Sequence, residues 1–159
     1  MKEKSYKPII YLFTATLAMA LATSFRLKES EDPIIVLKFF VAYSMTALAI
    51  LKLQDIDSFS KQFIKYDIIA KKWRGYSYAY PFLEAFIGIG MLSTVTPKAF
   101  GALSFFVGFF GSVSVIKTVY IEKKSLHCAC VGGNSKVPLG FISLTENLMM
   151  LTMGLVMAL

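Results

Sequence analysis

The chain consists of long blocks of apolar residues separated by short polar segments. A helix needs about 20 mostly apolar residues to cross the roughly 30 Å of hydrocarbon in a bilayer. Five blocks are of about this length, at residues 8–25, 34–53, 78–95, 99–120 and 141–159. We therefore expect a single domain over residues 1–159 with an all-α fold. The expected fold is an integral membrane helical bundle with four to five transmembrane helices and one interfacial amphipathic helix.

The interfacial helix is predicted between the second and third blocks. Over residues 54–72 the apolar positions recur at steps of three and four, which is typical of a helix with one apolar face. These positions are Ile56, Phe59, Phe63, Tyr66 and Ala70. Ser60 and Asp67, together with two lysines, lie outside this apolar face. Such a helix lies either among the lipid headgroups or over the end of the bundle.

Composition supports a membrane protein and argues against a soluble one. The chain is 56% hydrophobic and 17% charged, whereas soluble domains average about half apolar and a quarter charged. The net charge of +7 does not indicate nucleic-acid binding, because the basic residues flank apolar blocks instead of forming a stripe. The first block follows three lysines and is long for a signal peptide, so we expect it to be retained as a span.

The basic residues also predict the orientation. With a cytoplasmic N-terminus and five spans, thirteen Lys and Arg residues fall inside and four outside. Cytoplasmic segments are enriched in these residues. The N-terminus and the loop between the last two spans are therefore predicted to be cytoplasmic, in a bacterial inner membrane. Lys38 and Lys52, near opposite ends of the second span, are expected to extend toward the surface.

That loop contains both cysteines of the chain, Cys128 and Cys130, directly after its only histidine, His127. Two thiols this close can exchange electrons as a dithiol/disulfide pair or hold a soft metal ion. Lysines and His127 nearby favour a lowered thiol pKa, and Gly132 and Gly133 favour a flexible loop. Two incidental loop cysteines are the structural alternative. Under the redox interpretation Cys128, beside His127, attacks the disulfide of a partner and Cys130 resolves the mixed disulfide.

Two acidic residues are expected inside the membrane. Glu84 and Glu146 each lie five to six residues into a span that starts on the loop side, so they should occupy similar depths below the cysteines. Buried acids usually face the bundle interior and have a partner, for which Lys117 is the candidate. They form either a proton relay or a structural ion pair.

The last span contains Met149, Met150, Met153 and Met157. Thioethers together with thiolates suit Cu(I), but methionine is also ordinary packing material in apolar helices. Packing is the favoured interpretation. The alternative is a soft-metal protein in which Cys128, Cys130 and His127 bind copper or mercury. Under the redox interpretation, no cofactor is predicted.

Two stretches resemble a known family. Residues 66–70 and 78–90, and then Cys128-Ala129-Cys130-Val131-Gly132-Gly133 with Glu146-Asn147-Leu148, are similar to the MauE branch of the DoxX-like membrane proteins. The resemblance covers roughly residues 51–159, and Val131 departs from the phenylalanine that many members have there.

The resemblance implies a small helical membrane bundle linked to thiol–disulfide chemistry. It implies that Cys128 and Cys130 are the redox pair and that Glu84 and Glu146 are the intramembrane acids. The implied partner is a thioredoxin- or glutaredoxin-like protein, or the disulfide of a client such as methylamine dehydrogenase. A structural assembly subunit is the remaining alternative. Whether the chain is an enzyme is left open at this point.

Overall fold

The computed structural model describes residues 6–28, 32–93, 96–128 and 138–159. Helices account for most of these residues, and the described part of the chain has no β-strand. The helices are α1 (Lys7–Leu27), α2 (Pro33–Gln54), α3 (Ile56–Phe63), α4 (Ile68–Lys72), α5 (Arg74–Leu92), α6 (Pro97–Ile116) and α7 (Phe141–Ala158). A short π-helical segment (Lys117–Ile121) continues α6. The predicted all-α bundle is confirmed.

Four of the described helices are long and apolar enough to cross a membrane. They are α1, α2, α6 together with its π-helical continuation, and α7. The predicted third span corresponds to α5, a helix of 19 residues that contains Glu84 and is not among these four. Residues 94–95, at the end of that predicted span, lie outside the described residues. The protein is a multi-pass membrane protein.

The contacts between α6 and α7 are the most extensive in the bundle. They depend on small residues, because a Cβ atom added to Gly108 would lie 2.6 Å from the Asn147 carbonyl oxygen. The Ser104 hydroxyl donates to the carbonyl of Met150 across the same contact at 2.9 Å. Small residues let helix backbones approach closely inside a membrane. Elsewhere α1 packs against α2, and α2 packs against α5.

The predicted amphipathic helix is divided into α3 and α4, which pack over the bundle against α5. The expected apolar face is largely confirmed, because Phe59, Phe63, Tyr66 and Ala70 are buried. α3 ends at Phe63 and residues 64–66 form a turn. Asp67 then caps α4, because its carboxylate Oδ1 accepts the backbone N–H groups of Ile69 and Ala70. An N-cap residue has non-helical backbone angles and so marks the start of a new helix.

The segment that contains Cys128 lies at the same end of the bundle as α3 and α4. Leu139 donates its N–H to the carbonyl of Leu126 at 2.7 Å, and His127 pairs with Pro138. This pairing holds the Cys128 backbone beside the start of α7. Thr118, in the π-helical segment, donates to the carbonyl of Tyr66 at 3.2 Å, which ties the same end to the segment before α4.

Candidate functional site

Three buried charged side chains meet between α2, α5 and α7. The Lys52 ammonium donates to both carboxylate oxygens of Glu84, at 2.8 and 2.6 Å, and to Oε1 of Glu146 at 2.7 Å. Lys52 is 2% exposed, Glu84 0% and Glu146 7%. We call these three residues the ion cluster. One positive charge thus faces two carboxylates in the bundle interior, where isolated charges are costly.

The two acids were expected at similar depths, and the structure places both against one cation. The expected partner was wrong, since Lys117 is exposed near the end of α6. The expectation that Lys52 extends to the surface was also wrong. Lys52 continues a buried stripe of α2 that contains Met45, Leu48 and Ala49. This spacing of three, four and seven residues is visible in the sequence and could have identified the partner.

Aromatic rings enclose the ammonium group. The Lys52 nitrogen lies 5.3 Å from the ring centroid of Tyr80 and 6.0 Å from that of Phe59. Attraction between a cation and the face of an aromatic ring is significant within about 6 Å. Tyr80 and Phe59 are themselves buried. The rings therefore help to stabilise a charge that has left water.

A small cavity of about 20 Å³ adjoins the ion cluster, and its lining includes Lys52, Asp67, Ser143, Glu146 and Asn147. A cavity of this size holds about one water molecule, provided that polar groups line it. Among the described residues, the buried Oδ1 atom of Asn147 has no hydrogen-bond partner, whereas its Nδ2 donates to the carbonyl of Ser143. The cavity is thus lined by both polar and aromatic side chains, and it contacts both the ion cluster and the first turn of α7.

Asp67 is a second buried acid at this cavity. Besides capping α4, it accepts the Ser114 hydroxyl on Oδ2 at 3.0 Å, and Ser114 Oγ in turn accepts the N–H of Ile68. Burial raises the pKa of Asp67 above its ordinary value, although hydrogen bonds from Ala70 and Ser114 oppose that shift. The sequence pattern placed Asp67 off the apolar face of its helix, and its burial was not foreseen.

The sulfur of Cys128 is disulfide-bonded and completely buried, with 0% exposure. It accepts a hydrogen bond of 2.8 Å from the hydroxyl of Ser143. Ser143 is the third residue of α7 and also lines the cavity beside Glu146. Ser143 and the cavity that it lines therefore connect Cys128 with the ion cluster. Ser143 was not identified from the sequence as a residue of this site.

Of the two other sequence-predicted ligands, the structure describes only His127. His127 is exposed, and Cys130 lies outside the described residues. Lys124 pairs with Glu122 at 2.7 Å. Across the described ranges, no group of three or more His, Cys, Asp or Glu side chains is placed to hold a metal ion. Copper or mercury binding by Cys128, Cys130 and His127 stays a prediction.

The methionines of α7 serve as packing material. Met150 and Met153 are buried in the core, and Met149 and Met157 pack against it at partial burial. Flexible thioether side chains fill irregular gaps between helices. This agrees with the favoured interpretation of the methionine pattern.

Fold and site together define an all-α membrane bundle with a buried ion cluster and a buried cysteine, Cys128, which contacts a residue of the cavity beside that cluster. Residues 30–159 match the family model described as methylamine utilisation protein MauE. The match covers most of the chain, and the protein belongs to this family. The resemblance found in the sequence is thereby confirmed and extends to α2, which supplies Lys52. No curated protein and no solved structure shows a match to the chain.

Proposed function

We propose that this protein is a membrane-embedded thiol–disulfide redox protein whose redox pair is Cys128 and Cys130. The observation that carries the proposal is the disulfide-bonded sulfur of Cys128 at the first turn of α7, in contact with Ser143. The chain contains two cysteines, so an intrachain disulfide at Cys128 uses Cys130. Strained disulfides of short loops are typically labile and reactive.

The ion cluster is proposed to exchange the protons that accompany this chemistry. Reduction of a disulfide to two thiols takes up two electrons and two protons. Glu84 and Glu146 share one ammonium group, so the cluster loses little charge balance when one carboxylate is protonated. Glu146 lines the same cavity as Ser143, which contacts Cys128. This gives a short polar route between sulfur and carboxylate.

The proposed partner is a thioredoxin- or glutaredoxin-like protein, or a client protein that acquires its disulfides with this protein's help. Family membership supports a client in methylamine utilisation, such as methylamine dehydrogenase. We further propose that the protein lies in the bacterial inner membrane, that α5 also crosses this membrane, and that the cysteine loop faces the cytoplasm, as the basic residues predict for five spans. Labelling of intact cells that express Cys128→Ser, which leaves Cys130 as a free thiol, with a membrane-impermeant thiol reagent tests this side assignment.

The redox proposal is tested with purified protein in lipid nanodiscs. The oxidised protein is mixed with reduced thioredoxin, and thiols are counted by maleimide labelling. We expect each chain to oxidise one dithiol and to gain two thiols. The double variant Cys128→Ala/Cys130→Ala should exchange no electrons, while Lys61→Ala, on the exposed face of α3, should behave as the native protein. Absence of exchange in the native protein, or full cellular activity of the double variant, would contradict the proposal.

A further inference from the structure

The two cysteines of the proposed redox pair should have unequal roles, because Cys128 is inaccessible. Its side chain has 0% exposure and belongs to the hydrophobic core, together with Leu139 and Met150. Thiol–disulfide exchange requires a thiolate to reach the sulfur that it attacks, so access decides which sulfur reacts. The thiol of a protein partner does not reach a sulfur in this position.

We propose that Cys128 is the inner, leaving-group cysteine, that Ser143 is a catalytic residue stabilising its thiolate, and that Cys130 exchanges with the partner protein. This inference rests on the proposed redox function and specifies how its site works. It reverses the roles that the sequence suggested, where Cys128 was the attacking cysteine because of its position beside His127.

The surroundings of Cys128 suit a leaving thiolate. The Ser143 hydroxyl, itself buried, donates to the sulfur at 2.8 Å. A thiolate accepts such a hydrogen bond much more strongly than a disulfide sulfur does, because the charged acceptor strengthens it. Ser143 also lies in the first turn of α7, a helix of 18 residues. The positive end of the helix dipole there favours a negative charge. Both effects favour the reduced state over the disulfide.

The reaction balances without a further reactant. A thiolate of the partner dithiol attacks Cys130 Sγ, the Cys128–Cys130 bond breaks, and its electron pair leaves on Cys128. The second partner thiolate then attacks the partner's sulfur in the mixed disulfide and releases the Cys130 thiolate. The partner dithiol is oxidised to a disulfide, and the protein disulfide is reduced to two thiols. Two protons pass from the partner's thiols to the two cysteines, directly or through Glu146.

The cysteine roles are tested with single-cysteine variants in nanodiscs. The probe is thioredoxin with one active-site cysteine, activated as its thionitrobenzoate mixed disulfide, and release of the chromophore reports exchange. We expect Cys128→Ser, which retains Cys130, to react at least about tenfold faster than Cys130→Ser. Cys128→Ala is a second variant in case serine is poorly tolerated in the core, and circular dichroism checks that all variants fold.

The outcomes separate this inference from the redox function on which it rests. Faster reaction of Cys130→Ser, or equal rates, would overturn the assigned roles while the redox function stands. Native protein that exchanges no electrons with thioredoxin would refute the redox function itself. Fast reaction only of the variants that retain Cys130 supports the inference.

The role of Ser143 is tested by the redox equilibrium with glutathione. Ser143→Ala should shift that equilibrium roughly tenfold toward the disulfide, the effect of one hydrogen bond to a charged group. Ser143→Thr, which keeps a hydroxyl, should restore most of the difference. Ser112→Ala is the matched control, since Ser112 is a buried serine of α6 whose hydroxyl has no partner within the described residues. An unchanged equilibrium in Ser143→Ala would overturn the role of this residue.

Discussion

Two buried carboxylate sites face the same small cavity and are stabilised in different ways. In the ion cluster, side chains from three helices meet, and a lysine neutralises part of the charge of Glu84 and Glu146. At Asp67 the hydrogen bonds come from the backbone N–H groups of Ile69 and Ala70 and from the hydroxyl of Ser114 in α6. The first site therefore depends on the tertiary fold, and the second is largely local.

This difference indicates which of the two carboxylate sites is better suited to exchange protons. The Oδ1 atom of Asp67 accepts two backbone N–H groups, which are present whenever α4 forms. A carboxylate that shares an ammonium group with a second carboxylate loses less when it is protonated, because the other one remains to balance the lysine. One carboxylate of the ion cluster can thus be protonated while the other still balances Lys52, whereas Asp67 is held in place as the N-cap of α4.

The largest expected effect is that of Lys52→Met. Removing the ammonium leaves two buried carboxylates without their counter-charge, which typically costs about 3–5 kcal/mol. We expect a correspondingly large loss of stability in thermal unfolding of the detergent-solubilised protein. Lys61→Met, at an exposed position of α3, is the control and should change little. Adding Glu84→Gln and Glu146→Gln to Lys52→Met should recover most of the loss, and failure to recover would show that Lys52 acts mainly through packing.

The two acids of the ion cluster should differ when neutralised singly. Glu84 uses both oxygens on Lys52 and is fully buried, whereas Glu146 uses one and is slightly exposed. Glu84→Gln loses one charge-assisted hydrogen bond and should cost about 2 kcal/mol. Glu146→Gln should cost less than about 1 kcal/mol. Thermal unfolding of both variants measures the difference, and the reverse order would mean that Glu146 is the main counter-charge.

The fold was largely predictable, because spans of about 20 apolar residues and an amphipathic segment are local properties of a chain. The two acids of the site were predictable for a related reason, since charges inside a span are conspicuous. The partner lysine was not identified, because a lysine near the end of a span has two outcomes. Lys52 either reaches water or turns inward, and only its spacing from the buried positions of α2 indicates the second outcome.

Ser143 and Asp67 show a second limit of the sequence. A serine or aspartate near a helix start is usually a cap, and Asp67 does cap α4. Its additional contact with Ser114 joins residues 47 positions apart. The contact between Ser143 and Cys128 depends on how the loop is folded back by the pairing of Leu126 with Leu139. Nothing in the spacing of these residues indicates such contacts.

Loss of the Asp67 side chain should have a smaller effect than loss of Lys52. Asp67→Ala removes the cap of α4 and the contact with Ser114, for which we expect about 1–2 kcal/mol. Asp67→Asn keeps an oxygen for the backbone donors and should lose about half as much. Asp55→Ala is the matched control, because Asp55 caps α3 through the N–H of Ser58 without a contact to α6. If both alanine variants lose equal stability, the Ser114 contact contributes nothing.

The smallest expected effect is a pH dependence that originates at Asp67. Burial raises its pKa in the folded protein, so the folded state holds this proton more tightly than the unfolded chain. The resulting stability is fully present below the unfolded pKa of about 3.9, and it is lost as the pH rises through the folded pKa. Native protein should therefore lose stability relative to Asp67→Asn as the pH is raised from about 4 toward neutral. Thermal unfolding of both proteins across that range measures the difference, and a gain of native stability over the variant with rising pH would show that the hydrogen bonds from Ala70 and Ser114 outweigh burial.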